Sequence, residues 1–129
     1  MKLTKNFSKS EFECKDGSKM PLDVLENVKE LANNLQIIRD CIEKPIKLTN
    51  AYRSLSHNRS IGSKDTSQHV KGKAADLQVK GMTPGRLYTI IEDLILKGKV
   101  KEGGLGLYNT FVHYDTRETR ARWGKQTNI

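Results

Sequence analysis

Residues 67–76, Ser-Gln-His-Val-Lys-Gly-Lys-Ala-Ala-Asp, set an imidazole, His69, seven residues ahead of a carboxylate, Asp76. A second imidazole, His113, follows in Phe-Val-His-Tyr-Asp-Thr, residues 111–116. Two neutral imidazoles and one carboxylate are a ligand set for Zn²⁺ at about 2.0–2.2 Å, and three protein ligands leave a fourth position open to water, the pattern of catalytic zinc. A structural zinc is usually closed by a fourth ligand, often cysteine. Neither Cys14 nor Cys41 lies near this set in sequence. Each residue also has a plainer reading. A lone histidine is more often a satisfied polar side chain, and Asp76 can cap a turn. What favours a metal site is that the three fall on matching strand faces.

Those faces follow from the elements. Side chains alternate along a strand. In a strand over 74–80, Ala74, Asp76 and Gln78 share one face, and the more apolar Ala75, Leu77 and Val79 share the other. The segments 103–108 and 111–116, separated by Asn109 and Thr110, read as a hairpin. In its second strand Phe111, His113 and Asp115 share a face. If these strands are neighbours, Asp76 and His113 sit opposite one another with Cβ atoms ~5 Å apart. His69, returning from the long polar segment 53–69, then completes a triangle. An inward aspartate without such partners would be costly.

The remaining elements frame this centre. Ser8 opens a short helical turn through Phe12. Leu22, Leu25, Val28, Leu31, Leu35 and Ile38 recur at spacings of three and four, which predicts an amphipathic helix from Pro21 to about Cys41, ended by Pro45. Residues 45–52 alternate as a strand. Thr83 and Pro84 begin a second helix that runs to about Lys97, where Gly98 stops it. Beyond Arg117 the tail is basic, with Trp123 as its anchor. The order predicts one α+β domain over 1–129, a small antiparallel sheet with helices packed on one side.

Composition narrows the class. The chain has 129 residues, 36% hydrophobic and 29% charged, so a soluble globular class is expected, and no apolar run approaches the ~18 residues of a membrane span; a monomer is expected. The first residues carry no apolar signal core, so no secretory peptide is expected. Two cysteines without a CxxC pattern read as reduced thiols. The net charge of +8 favours a polyanionic partner, nucleic acid or an anionic wall. The basic residues are scattered without interleaved aromatics, so no specific nucleic-acid binding is expected.

Ser67-x-His69-x-x-Gly72-x-Ala74-x-Asp76 with a later His113 resembles the zinc D-Ala-D-Ala carboxypeptidase and L-Ala-D-Glu endopeptidase family, which shares the Hedgehog/DD-peptidase fold. The segments Asn6–Gly17, Ala51–Asn58, Gly103–Arg117 and Arg120–Trp123 resemble that family's in the same order. The resemblance implies that His69, Asp76 and His113 hold one Zn²⁺ per chain. It implies that Arg53 contacts substrate or steadies a developing oxyanion, where a guanidinium suits because it stays charged and donates in a fork; the plainer reading of Arg53 is a surface salt bridge. The substrate implied is a peptidoglycan stem peptide.

One position departs from the better-known members. Many carry an acid three residues before the last histidine, where this chain has Thr110. The expected general base is therefore Asp115, on the face of His113, with the alternative that Asp115 only orients His113; Glu102 and His57 stand next in line. His57 is also expected to contact substrate or to hold its loop. Ser67 is expected at the substrate site, orienting the His69 loop. A phage lysin that reaches the wall through a holin fits these features, as does a cytoplasmic enzyme. The contrasting reading is a metal-binding virion or wall-binding module without catalysis.

Overall fold

The computed structural model describes residues 1–124; the 125–129 end of the basic tail lies outside the described residues. A 3₁₀ turn at Lys9–Phe12 is fixed by a reciprocal cap, in which the Ser8 N–H donates to the Glu11 carboxylate. Then come helix α1 (Leu22–Ile42), strand β1 (Lys47–Asn50), helix α2 (Leu55–Ser60), strand β2 (Ala74–Gln78), helix α3 (Pro84–Leu96), and strands β3 (Gly104–Leu107), β4 (Val112–Asp115) and β5 (Ala121–Gly124). Thr83 caps α3, accepting the Arg86 N–H, with Pro84 in its first turn. Pro21 stands one position ahead of α1, at its N-cap.

The sheet order is β1-β2-β4-β3-β5. Four strands pair antiparallel, as alternation and the hairpin predict, and β5 adds to β3 in parallel. The sheet is thus mixed. Its apolar face carries Ala75, Leu77, Leu105, Leu107, Val112 and Tyr114, all buried with the α1 residues Val28, Leu31, Leu35 and Ile38 and the α3 residues Leu87 and Ile91. Burying each large aliphatic side chain is worth roughly 1.5–3 kcal/mol, which fixes the register and so decides what the other face presents. That other face carries the polar centre.

Two differences from the sequence expectation bear on the site. The segment 53–69 is not a plain loop, because Ser54 accepts the His57 N–H and starts α2. The tail from Arg117 is not merely anchored by Trp123, because it forms β5 and lays Trp123 over β3. Gly104 and Gly106 permit this. A Cβ at Gly106 would overlap the Trp123 indole, and one at Gly104 the Asp115 carboxylate.

No described helix is long and apolar enough to cross a membrane.

Candidate metal centre and active site

Strand register brings the candidate ligands together. Asp76 on β2 is directly opposite His113 on β4, and Ala74 opposite Asp115. β1 carries a bulge between Leu48 and Asn50, and just beyond it the Ala51 carbonyl accepts a hydrogen bond from His69 Nδ1 at 2.7 Å. The loop bearing His69 is held further by its own backbone: Ser67 Oγ accepts the His69 N–H, and the His69 carbonyl accepts the Arg53 N–H. His69, Asp76 and His113 are all buried.

The distances inside this cluster fit a tetrahedral ion. Two ligand atoms about 2.05 Å from one ion at the tetrahedral angle lie about 3.3 Å apart. His69 Nε2 lies 3.4 Å from Asp76 Oδ1, and His113 Nδ1 lies 3.2 Å from the same oxygen. The outer nitrogens are engaged elsewhere, His69 Nδ1 with the Ala51 carbonyl and His113 Nε2 with Asp115 Oδ2 at 2.7 Å. Because both outer partners accept, the outer nitrogens are the N–H donors, and the inner nitrogens turn lone pairs towards Asp76. Three acceptors converging in a buried space require a cation among them. The residues present therefore fit a zinc-class metal. Without one, a proton meets the same demand. Burial works to lower the His113 pKa, but hydrogen bonds to Asp115 and Asp76 outweigh it and raise it. Burial works to raise that of Asp76, and the hydrogen bonds from both histidines outweigh it and lower it.

The surroundings of Asp115 bear on which of its two expected roles it serves. Its carboxylate is fully buried and accepts from the Gly104 N–H at 2.9 Å, the Arg117 N–H at 3.1 Å, Arg117 Nε at 2.9 Å, Arg117 Nη2 at 2.7 Å and His113 Nε2. It stands behind the His113 ring and does not line the cavity in front of it. A carboxylate so saturated has no free lone pair to offer a water. Burial works to raise its pKa, but the bonds from His113 and Arg117 outweigh it and hold it well below the usual range. The alternative role, orienting His113, is the one this geometry serves.

The cavity measures about 420 Å³, and its wall includes Arg53, Ser67, His69, Asp76, His113 and Trp123. Arg53 lies in this wall. Its Nη1 donates to Asn58 Oδ1 at 3.1 Å, and its Nε is buried without a partner. Asn58, fully buried on α2, also donates to the Lys64 carbonyl at 2.8 Å, so one side chain fixes both the guanidinium and the loop that follows. Burial pulls the Arg53 pKa down, against the field of Asp76.

His57 does not contribute to this wall. α2 carries it instead to Cys14 and Asp16. Glu102, the other fallback base, pairs with Arg120 at 3.1 Å and is likewise outside the wall. Thr110 is exposed, its carbonyl accepting from Gln78 Nε2.

Sequence reasoning missed the aromatic and basic side of the cavity. Tyr108 and Phe111 stack with ring centroids 4.3 Å apart, and Trp123 Nε1 donates to the Tyr108 hydroxyl. The Trp123 ring lies 5.0 Å from that of His113, with the Arg117 guanidinium 5.3 Å from its centroid. The signal for Trp123 is the glycine pair Gly104 and Gly106 on one strand face, which marks something bulky lying flat on the backbone.

A buried His–Asp–His cluster on the polar face of an α+β sheet, open to a cationic and aromatic cavity, has the make-up of a metal-centred hydrolase. A family model described as peptidase M15 matches residues 5–115, and the chain belongs to the peptidase M15 family. It is similar to the peptidoglycan L,D-endopeptidase MepK of Escherichia coli K12, with 32% identity over 84 residues, 60% of this chain and 43% of that protein. The proteins of the same name from Escherichia coli O157:H7 and Shigella flexneri match to the same extent. The chain thus spans less than half the length of these relatives.

Proposed function

We propose that this chain is a zinc-dependent peptidase acting on the stem peptides of peptidoglycan. The observation that carries the proposal is the convergence of His69 Nε2, His113 Nδ1 and Asp76 Oδ1 at tetrahedral spacing beside an open cavity. A zinc ion held by these three would supply Lewis-acid polarisation of a carbonyl and a water acidified towards pKa ~7. The protein's own residues do the rest. The Ala51 carbonyl and Asp115 hold the two imidazoles in their ligating tautomers. Arg53, steadied by Asn58, presents a guanidinium to a substrate carbonyl or carboxylate, where a lost donor costs roughly 100-fold or more in turnover. Trp123, Tyr108 and Phe111 offer flat apolar surface to the peptide, and Arg53, Lys64 and Arg117 make the wall cationic, complementary to acidic stem-peptide carboxylates. The name carried by the relatives favours an L,D-endopeptidase over a D-Ala-D-Ala carboxypeptidase.

The competing reading, a metal-binding wall module without catalysis, draws on one observation. Among the described residues, the cavity wall has no carboxylate except the ligand Asp76. Incubating the purified protein with sacculi, with and without chelator, separates the two. Soluble peptides identified by mass spectrometry, lost on chelation and restored by zinc, are expected. Binding to sacculi without any released product would overturn catalysis.

A further inference from the structure

Away from the cavity, Cys14, Asp16 and His57 bring a thiol sulfur, a carboxylate oxygen and an imidazole nitrogen within 4.8 Å of one another. None of the three lines the cavity. We propose that they form a second metal site, for a borderline-soft divalent ion of the zinc class.

The donor set argues for that class. Thiolate, imidazole and carboxylate all ligate zinc, whereas calcium and magnesium take oxygen ligands. Ligand atoms around a tetrahedral ion stand about 3.3–3.6 Å apart when the bonds are 2.0–2.3 Å. The widest gap must therefore close by only about 1 Å, within reach of a χ rotation of the half-buried His57 or the exposed Asp16. The Cys14 sulfur is buried and held in place, its Sγ accepting the Ser54 N–H at 3.3 Å. Asp16 is pre-aimed by the Ser18 N–H at 2.8 Å and the Ser54 hydroxyl at 2.7 Å. Among the described residues, the His57 ring nitrogens make no hydrogen bond. On binding, the ion replaces the thiol proton, which is released to solvent.

Such an ion would fasten the 14–16 turn to α2, on the chain immediately after Arg53. It would thereby stiffen the segment that carries Arg53 and Asn58 without touching the cavity.

Cobalt(II) tests this on the whole protein, because thiolate-to-cobalt charge transfer gives a near-ultraviolet band that the sulfur-free His69–Asp76–His113 centre cannot produce. The experiment uses a Cys41→Ser background, since Cys41 is an exposed free thiol. The band is expected on titration with cobalt, and zinc should displace it. Cys14→Ser should abolish it while the visible cobalt bands of the first centre remain. His57→Ala, which spares the buried sulfur, should weaken cobalt binding at that band by at least ~10-fold and covers the case that Cys14→Ser fails to fold. The band should also persist in a His69→Ala/His113→Ala variant. Absence of the band in the parent, or its survival unchanged in His57→Ala, would overturn the site. Neither result bears on the peptidase reading, which rests on the other cluster.

Discussion

At the scale of single residues, the site is governed by what stands behind its ligands. Asp115 makes no contact with the cavity, yet it decides which nitrogen of His113 carries the proton. Such outer partners are typically worth 10- to 100-fold in metal affinity. Asp115→Asn should therefore weaken zinc binding by about that factor, with turnover recovering at saturating zinc; activity titrated against a zinc buffer reads both. Full zinc occupancy with turnover still abolished would instead return Asp115 to the role of proton acceptor. Arg53 is the converse case. It faces the cavity, its Nε has no partner to lose, and its fold contacts are few. Arg53→Ala should reduce turnover by roughly 100-fold or more while zinc content and melting temperature stay near those of the parent. Equal turnover would make it a spectator of the wall.

At the scale of elements, β3 is shaped by what crosses it. Gly106 faces the Trp123 indole so closely that any Cβ forces the ring away. Gly106→Ala should destabilise by about 1–3 kcal/mol, the usual cost of overpacking, and should change the near-ultraviolet circular dichroism of Trp123, the chain's single tryptophan. An unchanged spectrum would show that β5 does not rest on β3 in solution. The same elements show where sequence pattern speaks and where it falls silent. The two long helices are written in their apolar spacing. Alternation likewise puts Asp76 and His113 on the polar face, but that β2 neighbours β4, in this register rather than one slipped by two residues, is shown only by the fold. α2 is silent: six residues long, with exposed Leu55 and Ile61 and only Asn58 buried, it carries no apolar stripe. β5 is silent too. Half-exposed and charged, it reads as tail, and its place comes from parallel pairing with β3 and from Arg122, which forks onto Glu92 of α3. The hand-off from His113 to Asp115 falls between these cases. Spacing puts both on one face, but only the fold shows that Gly104 and Arg117 consume the rest of the carboxylate.

At the scale of the whole molecule, the proposed zinc centre would also be a cross-link. It would join β2, β4 and the loop after α2 through His113, Asp76 and His69, all buried. An ion that binds only the folded chain stabilises it by RT ln(1 + [L]/Kd), about 2.7 kcal/mol when free zinc is a hundred times the dissociation constant. For a domain of this length each kcal/mol moves the midpoint by roughly 3–5 °C. Chelation should then lower the melting temperature by about 10 °C, and readdition of zinc should restore it. Asp76→Ala separates the two contributions. Without the central carboxylate the metal-free variant loses the bonds that His69 and His113 make to Asp76, so it should melt lower than the metal-free parent, and zinc should no longer raise its midpoint. Calorimetry on both proteins, each with zinc and with chelator, reads all four states. If the parent melts at the same temperature with and without zinc, the cluster holds no ion in the folded chain, and the three residues are a proton-bridged network instead.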